Sequence, residues 1–243
     1  MTEQKHRHHR VFFKWWIRIS VLTLIVCLFP VSYRSTRLLE AILIPSLFVS
    51  GSWLFFKKGL SIIATTALSL FFLLIIISKE KKINPKRLQE AYIEELKTYK
   101  GTYYIWGGEN KLGIDCSGLA RKALINALWK NGLNEPQGFY KAFYLWWNDS
   151  TAKSMAAEWK GLTLKVSAKD QTINTLDYTA IRAGDLAITD DGVHVMIYLG
   201  AKEWIEADPG VKEVIQIGAP NKDFAWFNYN VTICRWSILN SRN

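Results

Sequence analysis

Three apolar runs open the chain, spanning about residues 15–33, 38–56 and 59–78. Arg18 interrupts the first, Glu40 and Pro45 stand in the second, and the third carries no charge. A membrane-spanning helix needs roughly 20 largely apolar residues, so the pattern predicts two or three transmembrane helices. Trp15 and Trp16 suit the interfacial belt, and Arg18 can snorkel to the headgroups. A cleaved signal peptide is the alternative for the first run. Two further apolar runs follow at once and no small-residue cleavage site stands out, which argues against it. After residue 78 the pattern changes. A charged linker, Lys79–Arg87, leads into a short amphipathic helix over Pro85–Tyr99. A second helix follows Ser117, with Leu119, Ala123, Leu124, Ala127 and Leu128 on one face.

Strand patterns dominate the last third. Gly184–Thr189 and Val193–Leu199 flank an Asp190-Asp-Gly192 turn and read as a hairpin. Lys202–Ala207 and Val231–Ile238 follow as strands. The implied fold class is α+β, helices followed by a small antiparallel sheet. Residues 1–82 form the membrane anchor, and residues 83–243, long enough for one core, form a single domain. Between helices and sheet lies an aromatic stretch, Phe139–Trp147. Tyr140, Phe143, Tyr144 and Trp147 recur at helical spacing and are expected to pack on the core. Trp146, off that face, is the candidate to rim a cleft or touch the bilayer.

Charge sharpens the picture. The chain carries a net +10. Residues 1–82 hold twelve Lys and Arg against three acids, whereas residues 83–243 are nearly balanced, with 19 against 18. Positive charge that flanks apolar runs points to a lipid bilayer as partner rather than nucleic acid. With three spans, seven Lys and Arg fall on each side, so the positive-inside rule is a tie. The weight of the first span favours an inside N-terminus and a C-terminal domain outside. Two spans would put that domain on the other side. His6, His8 and His9 form a basic tail without thiolates, so no metal and no cofactor are expected. The three cysteines, Cys27, Cys116 and Cys234, read as free thiols.

One cysteine stands apart. Tyr104-Ile-Trp-Gly-Gly108 and Gly113-Ile-Asp-Cys-Ser-Gly-Leu119 put Cys116 where a glycine-rich loop becomes a helix. Asp115 and Ser117 are good helix-start residues. At a helix N-terminus, free N–H groups and the macrodipole favour an anion, which lowers a thiol's pKa. A lone cysteine is ordinarily a small buried hydrophobe; these flanking residues reverse that expectation. His194 opens the second hairpin strand, pointing away from Val193, Val195 and Ile197. The next strand brings Glu206 or Asp208 back beside it. A nucleophile, its base and a group that orients the base would then be assembled.

These segments resemble the NlpC family of cell-wall cysteine peptidases, a branch of the papain-like superfamily. The Tyr-x-Trp-Gly-Gly box reads Tyr104 to Gly108, Asp-Cys-Ser-Gly reads Asp115 to Gly118, Gly-Asp-Leu reads Gly184 to Leu186, and His-Val-x-Ile-Tyr-Leu-Gly reads His194 to Gly200. The resemblance covers roughly residues 86–243. It implies Cys116 as nucleophile, His194 as base and a third polar residue behind the histidine. It also implies Tyr104 as a donor to the oxyanion and substrate, with Asp115 and Ser117 as contacts to a substrate amine; Asp115 has a capping reading as well. Two departures stand out. The third residue is commonly a histidine in Ile-His-Ala; here the strand reads Ile205-Glu-Ala207. A glutamate can still fix the tautomer and stabilise an imidazolium, and Asp208 is the fallback. The 78-residue gap from Cys116 to His194 is also longer than a minimal family domain requires, which places an insert at about 132–178.

The resemblance therefore implies a papain-like cysteine peptidase domain on a membrane anchor. It would cleave amide bonds in peptidoglycan stem peptides by a Cys-His-Glu set, as a multi-pass protein of the bacterial inner membrane with its catalytic domain on the outer side. Two other readings stay open. One keeps the thiol chemistry but turns it, as hydrolase or acyltransferase, on a lipid or other membrane-borne substrate. The other is a non-enzymatic membrane scaffold, against which the intact Cys116, His194 and Glu206 argue.

Overall fold

A computed structural model describes residues 2–56, 58–77 and 83–240. Three long helices come first: α1 (Thr2–Leu28), α2 (Arg34–Phe55) and α3 (Lys58–Ile77). Among the described residues, Arg10–Leu28 and Arg34–Phe55 are long and apolar enough to cross a membrane, and α3 is apolar over Gly59–Leu73. Ser78 and linker residues 79–82 lie outside the described residues, as do the side chains of His6, His8 and His9.

The first apolar run does not stay helical to residue 33. The helix stops at Leu28, and Pro30, which lacks an N–H and clashes with the preceding turn, follows. The backbone of this loop finds partners elsewhere: Ser32 N–H donates to Gly107 O at 2.9 Å, and Pro30 O accepts from Glu109 N–H at 2.8 Å.

The C-terminal domain starts with α4 (Pro85–Lys97), capped by Asn84, whose Oδ1 accepts from Lys86 and Arg87 N–H. Proline at the first helical position suits a site with no hydrogen bond to lose. Leu88, Tyr92 and Leu96 form its buried stripe. A two-residue hairpin, β1 (Glu109–Asn110) with β2 (Gly113–Ile114), precedes α5 (Cys116–Gly132). Leu119, Ala123, Leu124, Ala127 and Leu128 are all buried, as their spacing predicted.

The sheet has six antiparallel strands in the order β3-β8-β4-β5-β6-β7. They are β3 (Thr163–Thr172), β4 (Leu186–Thr189), β5 (Val195–Gly200), β6 (Glu203–Asp208), β7 (Glu213–Gly218) and β8 (Asn230–Trp236). Alternation assigns the two faces. Leu186, Ile188, Val195, Ile197, Ile205 and Ala207 share a core with α4 and α5. Ala187, Met196, Tyr198, Trp204 and Ile233 share a second core with Ile173, Ile181 and Phe227. Both faces are thus covered.

The insert expected at 132–178 is more than an insertion. It holds α6 (Gln137–Trp147), α7 (Ala152–Ala156) and the edge strand β3. The expected aromatic stripe on α6 is not its buried face: Gly138, Ala142 and Leu145 are buried, while Phe143 is exposed and Tyr140, Tyr144 and Trp147 are half-buried. Helix-to-helix distance explains the choice. A Cβ on Gly138 would lie 2.5 Å from Leu128 O, so α6 approaches α5 more closely than an aromatic row permits. Trp146 is not a free rim residue either; it packs against the first core.

Candidate active site

Cys116 is the first residue of α5, and the sequence before it builds that helix start. Asp115 caps the helix, its Oδ1 accepting from Gly118 N–H at 2.5 Å and from the Ser117 hydroxyl at 3.0 Å. Its Oδ2 accepts from Gly107 N–H at 2.8 Å. Asp115 therefore ties the helix to the Gly107-Gly108 loop, and Ser117 turns toward Asp115. Gly118 has no room for a side chain: a Cβ there would lie 2.2 Å from Gly108 O.

His194 sits just before β5 and Glu206 in the middle of β6. The Nε2 of His194 and Oε2 of Glu206 form a short hydrogen bond, with the two side chains 2% and 0% exposed. The other ring nitrogen is left for the cysteine. Cys116 Sγ lies 3.9 Å from the carbonyl oxygen of Val193, the residue before His194. Burial alone would push the His194 pKa down. The hydrogen bonds that the ring donates to Cys116 and Glu206, and their negative charge, outweigh it and raise the pKa to about 10. The imidazole is thus held protonated through neutral pH, the partner a thiolate needs. The Glu206 pKa is raised by burial and by neighbouring Asp208, against the pull of His194.

Of the two acidic candidates, Glu206 faces the histidine. Asp208 is turned into the β6–β7 corner, where its Oδ1 accepts from Gly210 N–H at 2.5 Å and Val211 N–H at 2.8 Å. Tyr104 is half-buried beside the cysteine; burial, then the negative charge of Cys116, Asp115 and Asp208, raise its pKa, so its hydroxyl keeps its proton.

Two contributors carry no motif signal. The Trp226 ring stacks on that of His194, with centroids 4.1 Å apart and planes 16° from parallel. Arg235 on β8 makes a bidentate pair with Asp185, both contacts at 2.6 Å. The aspartate of the Gly-Asp-Leu box is therefore a strut between strands. Cys234 is buried in the first core, and burial pushes its thiol up to about 11, which keeps it protonated and inert. Among the described residues no group of three His, Cys, Asp or Glu side chains is arranged to hold a metal.

Comparison with known proteins adds to this geometry. The sequence pattern of the NlpC/P60 family matches residues 101–232, more than half of the chain. No curated protein matches. Among solved structures, NlpC1 from Trichomonas vaginalis is 23% identical over 65% of this chain and 46% of its own, with a TM-score of 0.41. An NlpC/P60 family protein from Bacillus cereus is 17% identical over 62% of this chain and 40% of its own, with a TM-score of 0.40. The peptidoglycan hydrolase RipB from Mycobacterium tuberculosis is 16% identical over 69% of this chain and 83% of its own, with a TM-score of 0.39. This chain thus spans less than half the length of the first two.

Proposed function

The chain belongs to the NlpC/P60 family, and from that premise we propose that it is a membrane-anchored cysteine amidohydrolase acting on peptidoglycan stem peptides. The observation that carries this reading is the paired His194 and Glu206 beside a cysteine at a helix N-terminus. The Cys116 thiolate attacks the amide carbon and forms a C–S bond. Charge moves to the carbonyl oxygen, which backbone N–H groups at the helix start and the Tyr104 hydroxyl receive. Imidazolium His194 gives its proton to the leaving nitrogen as the C–N bond breaks. Neutral His194 then takes a proton from water, whose oxygen attacks the thioester. The acid leaves and the thiolate–imidazolium pair is restored. Glu206 holds the ring through Nε2. Asp115 is bonded to Ser117, to the helix start and to the loop, which favours helix-capping and shaping the site over direct contact with a substrate amine.

The α1–α2 loop is hydrogen-bonded to the C-terminal domain, so both lie on one side of any membrane the helices span. That supports crossings by both α2 and α3, hence three spans. The first-span preference and the cell-wall substrate then favour an inside N-terminus and a catalytic domain outside a bacterial plasma membrane.

The test uses the full chain in detergent micelles. It is incubated with purified muropeptides, and products are read by mass spectrometry. Expected is a product pair carrying one new amine and one new carboxyl, absent with Cys116→Ala. Intact muropeptides together with fatty acid released from phospholipid vesicles would replace this substrate class with lipid. No cysteine-dependent turnover of either would remove the enzymatic reading.

A further inference from the structure

Residues 28–37 belong by contact to the C-terminal domain. Val31 forms an antiparallel bridge with Gly108, flanked by the Ser32–Gly107 and Glu109–Pro30 hydrogen bonds. Asn110 Nδ2 donates to the carbonyls of Leu28 at 3.2 Å and Phe29 at 3.1 Å. Behind this pairing lies a cluster of two cations and two anions. Arg37, in the first turns of α2, is 1% exposed. Its Nη2 meets Glu109 Oε2 at 2.5 Å and Asp149 Oδ1 at 3.5 Å. Its Nη1 donates to Trp146 O, and its Nε donates to the Ser32 hydroxyl at 2.9 Å. Arg121, on α5, donates from Nε to the other Glu109 oxygen at 2.5 Å and pairs with Asp149 at 2.8 Å. Burial alone would raise the Glu109 pKa; Arg121 and Arg37 outweigh it and keep the carboxyl below its ordinary range.

Glu109 therefore links a residue of a membrane helix to a residue of the helix that Cys116 begins. Gly108, the neighbour of Glu109, accepts the Asp115 N–H at 3.1 Å and sets how closely Gly118 can approach. The clamp and the nucleophile share one short loop, residues 107–115.

We infer that Arg37 is a positioning residue for Cys116: the first membrane hairpin clamps the nucleophile's loop and is a working part of the active site rather than a tether. The inference rests on the reading of Cys116 as nucleophile. Arg37 suits the task because its planar fork satisfies four groups at once, which a lysine cannot. Without it the cluster, buried except at Asp149, is left with one net negative charge, and Trp146 O and Ser32 lose a donor. The loop then keeps its backbone pairing with residues 30–32 but loses the side-chain anchor behind it.

The experiment uses the full chain in micelles with two readouts. One is kcat and KM on muropeptides; the other is the rate at which iodoacetamide labels Cys116, followed by peptide mass spectrometry. Melting temperature reports folding. Arg37→Gln is expected to lower kcat and the labelling rate by about 10–100-fold, the cost of a misplaced reacting group, with KM within about twofold because substrate contacts remain. Arg37→Lys is expected to recover part of the loss. Asn110→Ala, which removes only the loop contacts, should fall between wild type and Arg37→Gln. Wild-type kcat and labelling in a folded Arg37→Gln overturn the inference. If that variant does not fold, wild-type behaviour in both Arg37→Lys and Asn110→Ala overturns it. Failure of the underlying reading looks different: turnover persists in Cys116→Ala, and the inference falls with it.

Discussion

The Trp226 ring lies face to face with that of His194, 4.1 Å between centroids and 16° from parallel. The indole comes from the 3₁₀ turn Ala225–Asn228, the imidazole from the start of β5. A π face against a protonated ring stabilises the charge and blocks rotation about the side-chain bonds. Trp226→Ala is expected to lower kcat/KM by about tenfold, as for loss of roughly 1.4 kcal/mol of transition-state stabilisation. Trp226→Phe keeps a face and should retain most activity. The same rate in Trp226→Ala and wild type would show that Glu206 alone fixes the ring.

The cysteines separate by environment. Cys116→Ala is expected to abolish turnover with little change in melting temperature, since the helix start is held by Asp115, Gly118 and the Gly107-Gly108 loop. Cys27→Ala and Cys234→Ala should remain active. Peptide mapping after a short iodoacetamide pulse at neutral pH checks the order: Cys116 is labelled, whereas Cys234, buried with its thiol pushed up to about 11, is not. Faster labelling of Cys234 would be incompatible with an activated thiolate at Cys116.

Glu206 and Asp208 differ in what they hold. Glu206→Gln leaves an acceptor for the imidazole but removes one of the two negative charges, after that of Cys116, that raise the His194 pKa to about 10. The alkaline limb of kcat/KM, which reports loss of the imidazolium proton, should move to lower pH in that variant. Asp208→Asn keeps an acceptor for the corner amides and should leave the limb in place. An unmoved limb in Glu206→Gln would count against charge as its contribution. Stability follows the same titration. The folded pKa of His194 is raised above 6.5, so the folded state binds the extra proton in between. The pairing's contribution is full below about 6.5 and is lost as pH rises through about 10. Thermal melts of wild type and His194→Ala across this range should converge toward its alkaline end.

Local chemistry was legible in the sequence, and long-range company was not. The helix start at Asp115 and the Pro85 start of α4 are set within a few residues, so the sequence marks them, although it left Asp115 open between cap and substrate contact. Strand alternation placed His194 opposite Val195 and Ile197, and returned Glu206 or Asp208 to its side without choosing between them. Arg37 read only as a loop charge in a topology count, because its partner Glu109 is 72 residues away. Trp226 gave no sign for the same reason: no periodicity connects it to His194. The insert misled for another reason. Hydropathy ranks Tyr, Phe and Trp as buried, yet closely packed helices choose Gly and Ala.

That choice on α6 makes the last prediction. Leu145 is 3% exposed and packs in the first core, while the Phe143 ring is 44% exposed and lies against Trp146 and Trp147. Truncating a buried leucine removes contacts and leaves a cavity, so Leu145→Ala should cost about 2–5 kcal/mol. Phe143→Ala uncovers little that was dry and should change stability by less than about 1 kcal/mol. Ala142→Leu should be the worst of the three relative to its size, because the helix-to-helix gap has no space for added methylenes. Phe139, on the same helix, meets Phe71 of the apolar helix α3 at 5.5 Å between centroids. Phe143→Ala should leave the melting temperature nearly unchanged, and Trp147→Ala, at a half-buried position, should cost less than Leu145→Ala. Loss of stability in those two variants, with Leu145→Ala tolerated, would restore the aromatic row as the core face and reverse the orientation described for α6.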